Sequence, residues 1–515
     1  MRGRRWQEPV TLAAAASVVV VCAGVPLAAL AAAGVGGRAV ALLSSPATWS
    51  LLAWSIATSA TVTVVALVIG VPLGVLLGRT DVAGRRVALL IHAFSTFVPP
   101  FLLALGWFHL LGRDGLVGGD ATSRLLFAPT GDIVVQGLAF APIVTVLTVL
   151  GVDAIDPSLE DAARLIARPD RVAIRILLPI AWPGIALAAL VVFALAFSEL
   201  GVPTFLRVRA YPAAVFARLG GVSYAPGEAF VLVLPQLAVA LALLWLERRV
   251  GGRRAVSVLG LRRDRAPLRL GRSRLPLTVA CWSVVLLGAL PIVSLALRAR
   301  GASWGELGSW VGASAGNGLV DAAIAATAIT ACGIVLGRGL ARGQRVARAI
   351  DGLGVLAFVT AAGALGAGLI AAWSRPATQV VYASSAIVII GYIARYGVLG
   401  VRPIAIAIAR GSADLEAAAE ITGAGYLRRL MRIVIPIHAR AIAAAWLLAL
   451  VFCLRDLDTA VLYYPPGGET LPVRIFTLEA NGRPATVAAL AMLQVAITAA
   501  VLALGLVVLR RRRST

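Results

Sequence analysis

The stretch LEAAAEITGAGYLRRLMRIVIPIHARAI, Leu415 to Ile442, interrupts a chain that otherwise reads as one apolar run after another. Glu416 precedes three consecutive alanines, Ala417, Ala418 and Ala419. Alanine is the strongest helix former and leaves a face of small side chains that another protein's backbone can approach closely. Gly423 and Gly425 permit a sharp turn. A second short helix follows, with Arg428, Arg429 and Arg432 placed to sit at headgroup level. Pro436 then suits the first turn of the next apolar helix, where its missing N–H costs nothing. The stretch predicts a helix–turn–helix elbow on a membrane surface, rigidly joined to a spanning helix.

The surroundings make that membrane explicit. The 515 residues are 60% hydrophobic and only 14% charged, with a mean hydropathy of +0.92, too little charged surface for a soluble domain of this size. The net charge of +23 is carried by arginine with no lysine at all, and most arginines lie in short loops between apolar runs. That pattern sets membrane topology and does not form a nucleic-acid groove. Cys22, Cys281, Cys332 and Cys453 lie in or beside apolar runs without metal-site spacing, which reads as packing. His92, His109 and His438 are scattered and form no ligand cluster.

A hydrocarbon core of about 30 Å needs roughly 20 apolar residues per helix. On that measure the expected spans fall near 10–33, 52–77, 87–111, 132–152, 181–202 and 229–246. A second set falls near 276–297, 317–337, 350–373, 380–400, 440–456 and 486–509. The first is read as an uncleaved helix, because its apolar stretch exceeds a signal-peptide core. The arginine-rich face, which holds both termini and the loops after even-numbered spans, is expected to be cytoplasmic. Residues 247–275 form an arginine-rich cytoplasmic linker between the two sets, suited to anionic lipid.

The opening stretch has a counterpart, LEDAARLIARPDRVAIRILLPIAWPGI, Leu159 to Ile185. The spacing from Pro179 to Pro436 also carries Glu199 of FSELGVPTFL onto Asp456 of CLRDLDTAVL. Further on, YPAAVFARLGG at 211–221 matches LPVRIFTLEANG at 471–482, and upstream Gly78-Arg79 matches Gly337-Arg338. Four landmarks in one order indicate a duplication, residues 1–246 and 276–515, each with an even number of spans and therefore parallel. The elbows, about 153–180 and about 401–439, fall between the fourth and fifth spans of each half, on the cytoplasmic side.

At these residues the chain resembles the permeases of bacterial ABC importers. Their coupling loop runs Glu-Ala-Ala, three residues, Gly, nine residues, Ile, one residue, Leu-Pro. Here Gly423 is followed by nine residues, Ile433, Val434, Ile435 and Pro436; isoleucine replaces the leucine, and Glu416 stands one place early. The first copy has Glu160, Asp161, Ala162 and Ala163, with Ala167 near the expected glycine and one residue fewer before Leu178-Pro179. RTDVAGRRVALL at 79–90, FVPPFLLALGWFHLLGRDGLV at 97–117 and YYPPGGETLPVRIFTLEANG at 463–482 are similar to the fused double permeases of ferric-iron-type importers. The resemblance implies an all-α type I permease of two parallel six-helix repeats in the bacterial cytoplasmic membrane. It implies two cytoplasmic ATPase subunits, one at each elbow, and an extracytoplasmic binding protein. ATP and Mg would reside on the ATPase, and this chain would bind no cofactor of its own. Ferric iron is the leading cargo; thiamine, polyamines and phosphonates are carried by similar permeases. The chain supplies no lysine for a phosphate-binding loop, so it is expected to be a non-catalytic subunit.

Glu199, Arg455, Asp456 and Asp458 are placed near the outer ends of the fifth and eleventh spans, and Arg395 within the tenth. A charge in hydrocarbon costs at least ~2.5–3.5 kcal/mol, so each must face a polar cavity, pair, or reach the interface. They are the candidates for a pathway or gate; an interfacial ion pair or a solvated helix end is the plainer reading. Tyr392 and Tyr396 flank Arg395. A major-facilitator transporter also has two parallel six-span halves, and DVAGRR at 81–86 resembles its loop motif, but no mate appears in the second half and the twin elbows go unexplained. A membrane enzyme would need clustered carboxylates, histidines or a nucleophile motif at one depth, and none is seen.

Overall fold

The structure is a computed structural model describing residues 6–32, 37–155, 157–166, 169–220, 226–250, 267–411 and 413–511. The protein is all-α; among the described residues the only strand-like pairing is a single parallel bridge between Thr80 and Leu268. Among the described residues nine helices are long and apolar enough to cross a membrane, and three further pairs of helices qualify only jointly, because each is bent at a short break. Most of the arginine-rich linker, 251–266, lies outside the described residues.

The chain forms two compact units that are not consecutive in sequence. One comprises Pro46–Ala214 and Val239–Ala302. At its centre the helix Pro46–Arg79 lies against Pro129–Asp153, and glycines set the approach. A Cβ on Gly70 would stand 2.5 Å from Val144 Cβ, and one on Gly74 2.6 Å from Thr148 Cβ. Small residues allow this closeness where lipid supplies no hydrophobic drive between helices. Arg274–Ala299 joins the same unit: Ser294 donates to the Gly106 carbonyl at 2.6 Å, and Trp282 to that of Ala83 at 2.9 Å.

The other unit comprises Met1–Ser45, Val215–Ala238 and Ser303–Thr515. Its central pair is Ser314–Ala341 with Ala386–Ala409, where a Cβ on Gly333 would stand 2.7 Å from the Gly400 backbone. The chain's first helix, Gln7–Ala32, packs here, bringing the Pro26 carbonyl within 2.6 Å of a Cβ position on Gly368. Each unit thus takes in helical segments from the other half of the chain.

Two of the twelve expected spans are not straight, which corrects the reading of 87–111 and 350–373 as simple crossings. Arg85–Phe97 and Pro100–Leu111 meet at 106°, and Arg345–Val359 and Ala362–Trp373 at 113°. Tyr426–Ile437 and Ala439–Leu454 meet at 80°, so the eleventh span is the second arm of the elbow. The tenth expected span, 380–400, is found later, at Ala386–Ala409. It runs through Arg402 and Pro403 because Asp351 accepts from Arg402 Nη2 at 2.9 Å and so neutralises the charge.

The described residues also contain three π-helical segments, Val20–Gly24, Ala173–Leu177 and Leu430–Val434. Each ends one residue short of the position before a proline: Pro26, Pro179 and Pro436. A proline inside a helix removes one donor and its ring crowds the carbonyl four residues back, here Cys22, Arg175 and Arg432. A widened turn at that carbonyl relieves the crowding while the helix continues.

Candidate functional site

The two elbows share one construction. In the first, Pro157 opens the helix Pro157–Ile166, the position where its missing N–H is harmless. Glu160, in the first turn, is 1% exposed and receives Nη2 of Arg79, 2.6 Å from its Oε1. Arg79 is the last residue of Pro46–Arg79 and is itself 4% exposed. In the second, the helix Ala413–Ile421 carries Glu416, also 1% exposed. Arg338 Nε reaches Glu416 Oε1 at 2.8 Å and Arg342 Nη2 reaches Oε2 at 2.6 Å. The same Arg338 donates to Glu8 at 2.9 Å and lies over the Tyr426 ring at 4.7 Å, while Gln344 also donates to Glu8. An arginine at the foot of a long helix therefore pins each elbow by a buried, charge-assisted bond.

Apolar packing completes each joint. Ala163, Val172, Leu177 and Ala181 share a core with Val152 and Ile155 in the first elbow. In the second, Tyr426, Leu430 and Val434 pack on Ile404, Ile408 and Ala445. Gly423 makes the turn at φ +83°, a left-handed conformation that favours glycine, and Ala424 N–H closes it on the Ala419 carbonyl at 2.9 Å. Arg429, buried, pairs with Glu420 across the turn.

The expected contact residues divide accordingly. Glu160, Ala163 and Glu416 point inward; Ala162, Ala417 and Ala418 are exposed; Ala419 is half-buried; Gly423, Pro179 and Pro436 are exposed. The side chain of Asp161 lies outside the described residues. What the outward faces present is mainly aliphatic. Leu165 is 87% exposed and Ile421, at the equivalent place, 88%. Leu159 and Leu415 form a second such match, and Ile174 and Met431 a third beside the widened turns. These apolar positions and the two pinning arginines escaped the sequence reading. The pair Gly78-Arg79 and Gly337-Arg338 was visible as a repeat landmark, and an arginine at a span end calls for a carboxylate.

The charges farther along the chain separate into two groups. In one unit Asp456 accepts from Tyr396 Oη at 3.0 Å and from the Thr459 hydroxyl. Arg395 lies near the Tyr396 ring and donates to the Thr360 carbonyl at 3.4 Å, and Arg455 stands over Phe452 at 5.0 Å. Tyr392 and Tyr396 are both buried, and Asp458 is half-buried. In the other unit Glu199 accepts from the Val202 N–H at 3.3 Å, at the start of a short helix. It also lines a polar cavity with Ser55, Ser59, Asp132 and Gln136. That cavity was missed, although Asp132 and Gln136 are four apart in an apolar run, as are Ser55 and Ser59. Among the described residues no three His, Cys, Asp or Glu gather in a metal-holding arrangement.

No family model matches the chain. It is 41% identical over 91 residues to a 2-aminoethylphosphonate transport system permease protein of Salmonella paratyphi A, covering 18% of this chain and 34% of that relative. The chain thus spans about a third of the length of the phosphonate relatives it matches. It is 31% identical over 211 residues to the molybdenum transport system permease protein of Mycobacterium tuberculosis, covering 38% of this chain and 74% of the relative. A ferric transport system permease protein of Haemophilus influenzae is 30% identical over 133 residues, 24% of this chain and 21% of the relative.

Proposed function

The chain belongs to the permeases of ABC transporters, and we propose that it is the membrane component of an importer, a duplicated permease whose two elbows each receive a cytoplasmic ATPase subunit. The observation that carries this reading is the pair of matching elbows. Each has a buried arginine–glutamate pin, a widened turn before its proline, and an exposed aliphatic residue, Leu165 or Ile421. The outward face is suited to an apolar socket on the ATPase, while the pin passes a push on the elbow helix directly to the foot of Pro46–Arg79 or Ser314–Ala341.

In this reading both elbows and both termini face the cytoplasm, and a binding protein delivers cargo on the other side. ATP hydrolysis takes place on the companion subunit. Ferric iron, put first by resemblance, stands beside phosphonate and molybdenum in the names of the relatives; a small ionic cargo is the reading common to all three.

The test replaces Leu165 and Ile421 by cysteine in the full chain and cross-links it in membranes to the ATPase encoded beside it. Capture at both positions is expected, with Leu165→Glu and Ile421→Glu each abolishing it. If neither position captures a nucleotide-hydrolysing subunit, the reading fails.

A further inference from the structure

We infer that a groove on the 46–214 unit, beside the first elbow, seats an acyl chain of an anionic phospholipid whose phosphate meets Arg171 and Arg175. The site concerns the bilayer alone and stands or falls apart from the ATPase docking proposed above.

The groove holds about 600 Å³ and runs between two helices. Leu67 and Val71 of Pro46–Arg79 line one side, and Leu178, Pro179, Trp182 and Ala189 of Leu178–Ser198 the other. Only the Trp182 indole brings a polar side-chain atom to the lining, so the groove offers little to a polar solute. From Pro179 to Ala189 is ten residues. At ~1.5 Å per residue that is ~15 Å, half of a hydrocarbon core about 30 Å thick, so the groove is one leaflet deep. Trp182 is 64% exposed and Val68, next to Leu67, is 68% exposed, so this face looks onto lipid.

The second unit fills the matching place with its own side chain. The spacing that carries Pro179 onto Pro436 carries Ala189 onto Trp446, and the one that carries Gly78 onto Gly337 carries Val68 onto Thr327. The Trp446 indole N–H donates to Thr327 Oγ1 at 3.1 Å, so the ring bridges Ser314–Ala341 and Ala439–Leu454. Alanine and valine at the matching positions of the first unit cannot make that bridge, and the groove stays open. A gap between packed helices forfeits dispersion contacts, and an acyl chain of the bilayer restores them.

Charge sets which lipid. Arg175 lies four residues before Pro179, one turn nearer the elbow and on the same face. Arg171 is one turn further, and both are exposed. From 167 to 182 the sequence holds three arginines, Arg168, Arg171 and Arg175, against one acid, Asp170. Basic pockets between helices at a membrane face suit anionic headgroups, and a guanidinium pairs with phosphate through two parallel bonds. A headgroup with its own ammonium would bring a competing cation to the same place.

The experiment is native mass spectrometry of the purified full-length chain in detergent. The probes are phosphatidylglycerol, phosphatidylethanolamine with the same acyl chains, and glycerol phosphate. One tightly retained phosphatidylglycerol is expected, with phosphatidylethanolamine weaker by about tenfold or more and glycerol phosphate not bound. Ala189→Trp, which supplies the ring that the second unit has, should abolish the retained lipid. Arg171→Gln with Arg175→Gln should weaken it by about tenfold, while Arg428→Gln with Arg432→Gln in the second elbow leaves it unchanged. Because Arg171 and Arg175 are exposed, their variant decides the question even where the new tryptophan disturbs the fold. No retained phosphatidylglycerol, equal retention of phosphatidylethanolamine, binding of glycerol phosphate, or indifference to either first-unit variant overturns the proposal.

Discussion

At the scale of single residues, the pins decide how the elbows work. Glu160 and Glu416 lie where a sequence reading looks for partner contact, yet both are buried against arginines of their own unit. A glutamate in the first turn of a helix gains from the helix dipole, but here the guanidinium governs where it points. Removing one member of a buried pair leaves an uncompensated charge and costs ~3–5 kcal/mol, whereas replacing both by apolar side chains is often neutral. Arg79→Leu or Glu160→Leu alone should therefore lower the melting temperature and monodisperse yield, and the double variant should recover most of both. Glu416→Leu should cost less than Glu160→Leu, because Arg338 keeps Glu8 and the partly exposed Arg342 reaches water, whereas the buried Arg79 loses the carboxylate that it faces. Thermal unfolding of the detergent-solubilised chain measures both differences.

At the scale of elements, the two sharpest breaks follow one backbone path with different residues. Val98 and Pro99 are extended, at ψ 135° and 131°, before Pro100 opens the next helix. Thr360 and Ala361 are extended in the same way, at ψ 131° and 140°, before Ala362. Prolines favour that path locally, since each restricts the residue before it to extended conformations. Alanine does not, so packing must hold the second bend. Ala361 and Ala362 are fully buried, and a Cβ on the nearby Gly366 would stand 2.5 Å from Leu462. It follows that Pro99→Ala should keep its bend. The expected loss is about 1 kcal/mol, mostly from the unfolded chain's greater freedom. Unfolding midpoints and spin-label distances between Val87 and Leu110, each replaced by cysteine, would show it; a straightened helix would refute it.

At the scale of the whole molecule, the arginine distribution and the elbows make one claim about sidedness. On the proposed orientation Leu165 and Ile421 face the cytoplasm and the exposed Leu116 and Val117 the opposite side. A membrane-impermeant thiol reagent should label Leu165→Cys and Ile421→Cys only in inside-out vesicles, and Val117→Cys only in right-side-out ones. Each compact unit also takes in a helix from the other half of the chain, Gln7–Ala32 in one and Arg274–Ala299 in the other. Glu8 ties the first of these to Arg338, so that helix takes part in the second elbow's pin.

The amino-acid sequence by itself determined the all-α membrane class and the positions of nearly all spans. Run length and hydropathy are local properties, and a bilayer reads them directly. It also marked both elbows, because alanine runs, turn glycines and prolines act within a few residues. Only the tertiary structure decided which side of each elbow faces outward, since Glu160 and Glu416 turn toward arginines far away in the chain. It alone bent the helix at Ala361, where neighbours rather than local preference hold the backbone. And it alone gathered Ser59, Asp132, Gln136 and Glu199 around one cavity, because their meeting depends on helices held together at glycine contacts that no run of residues announces.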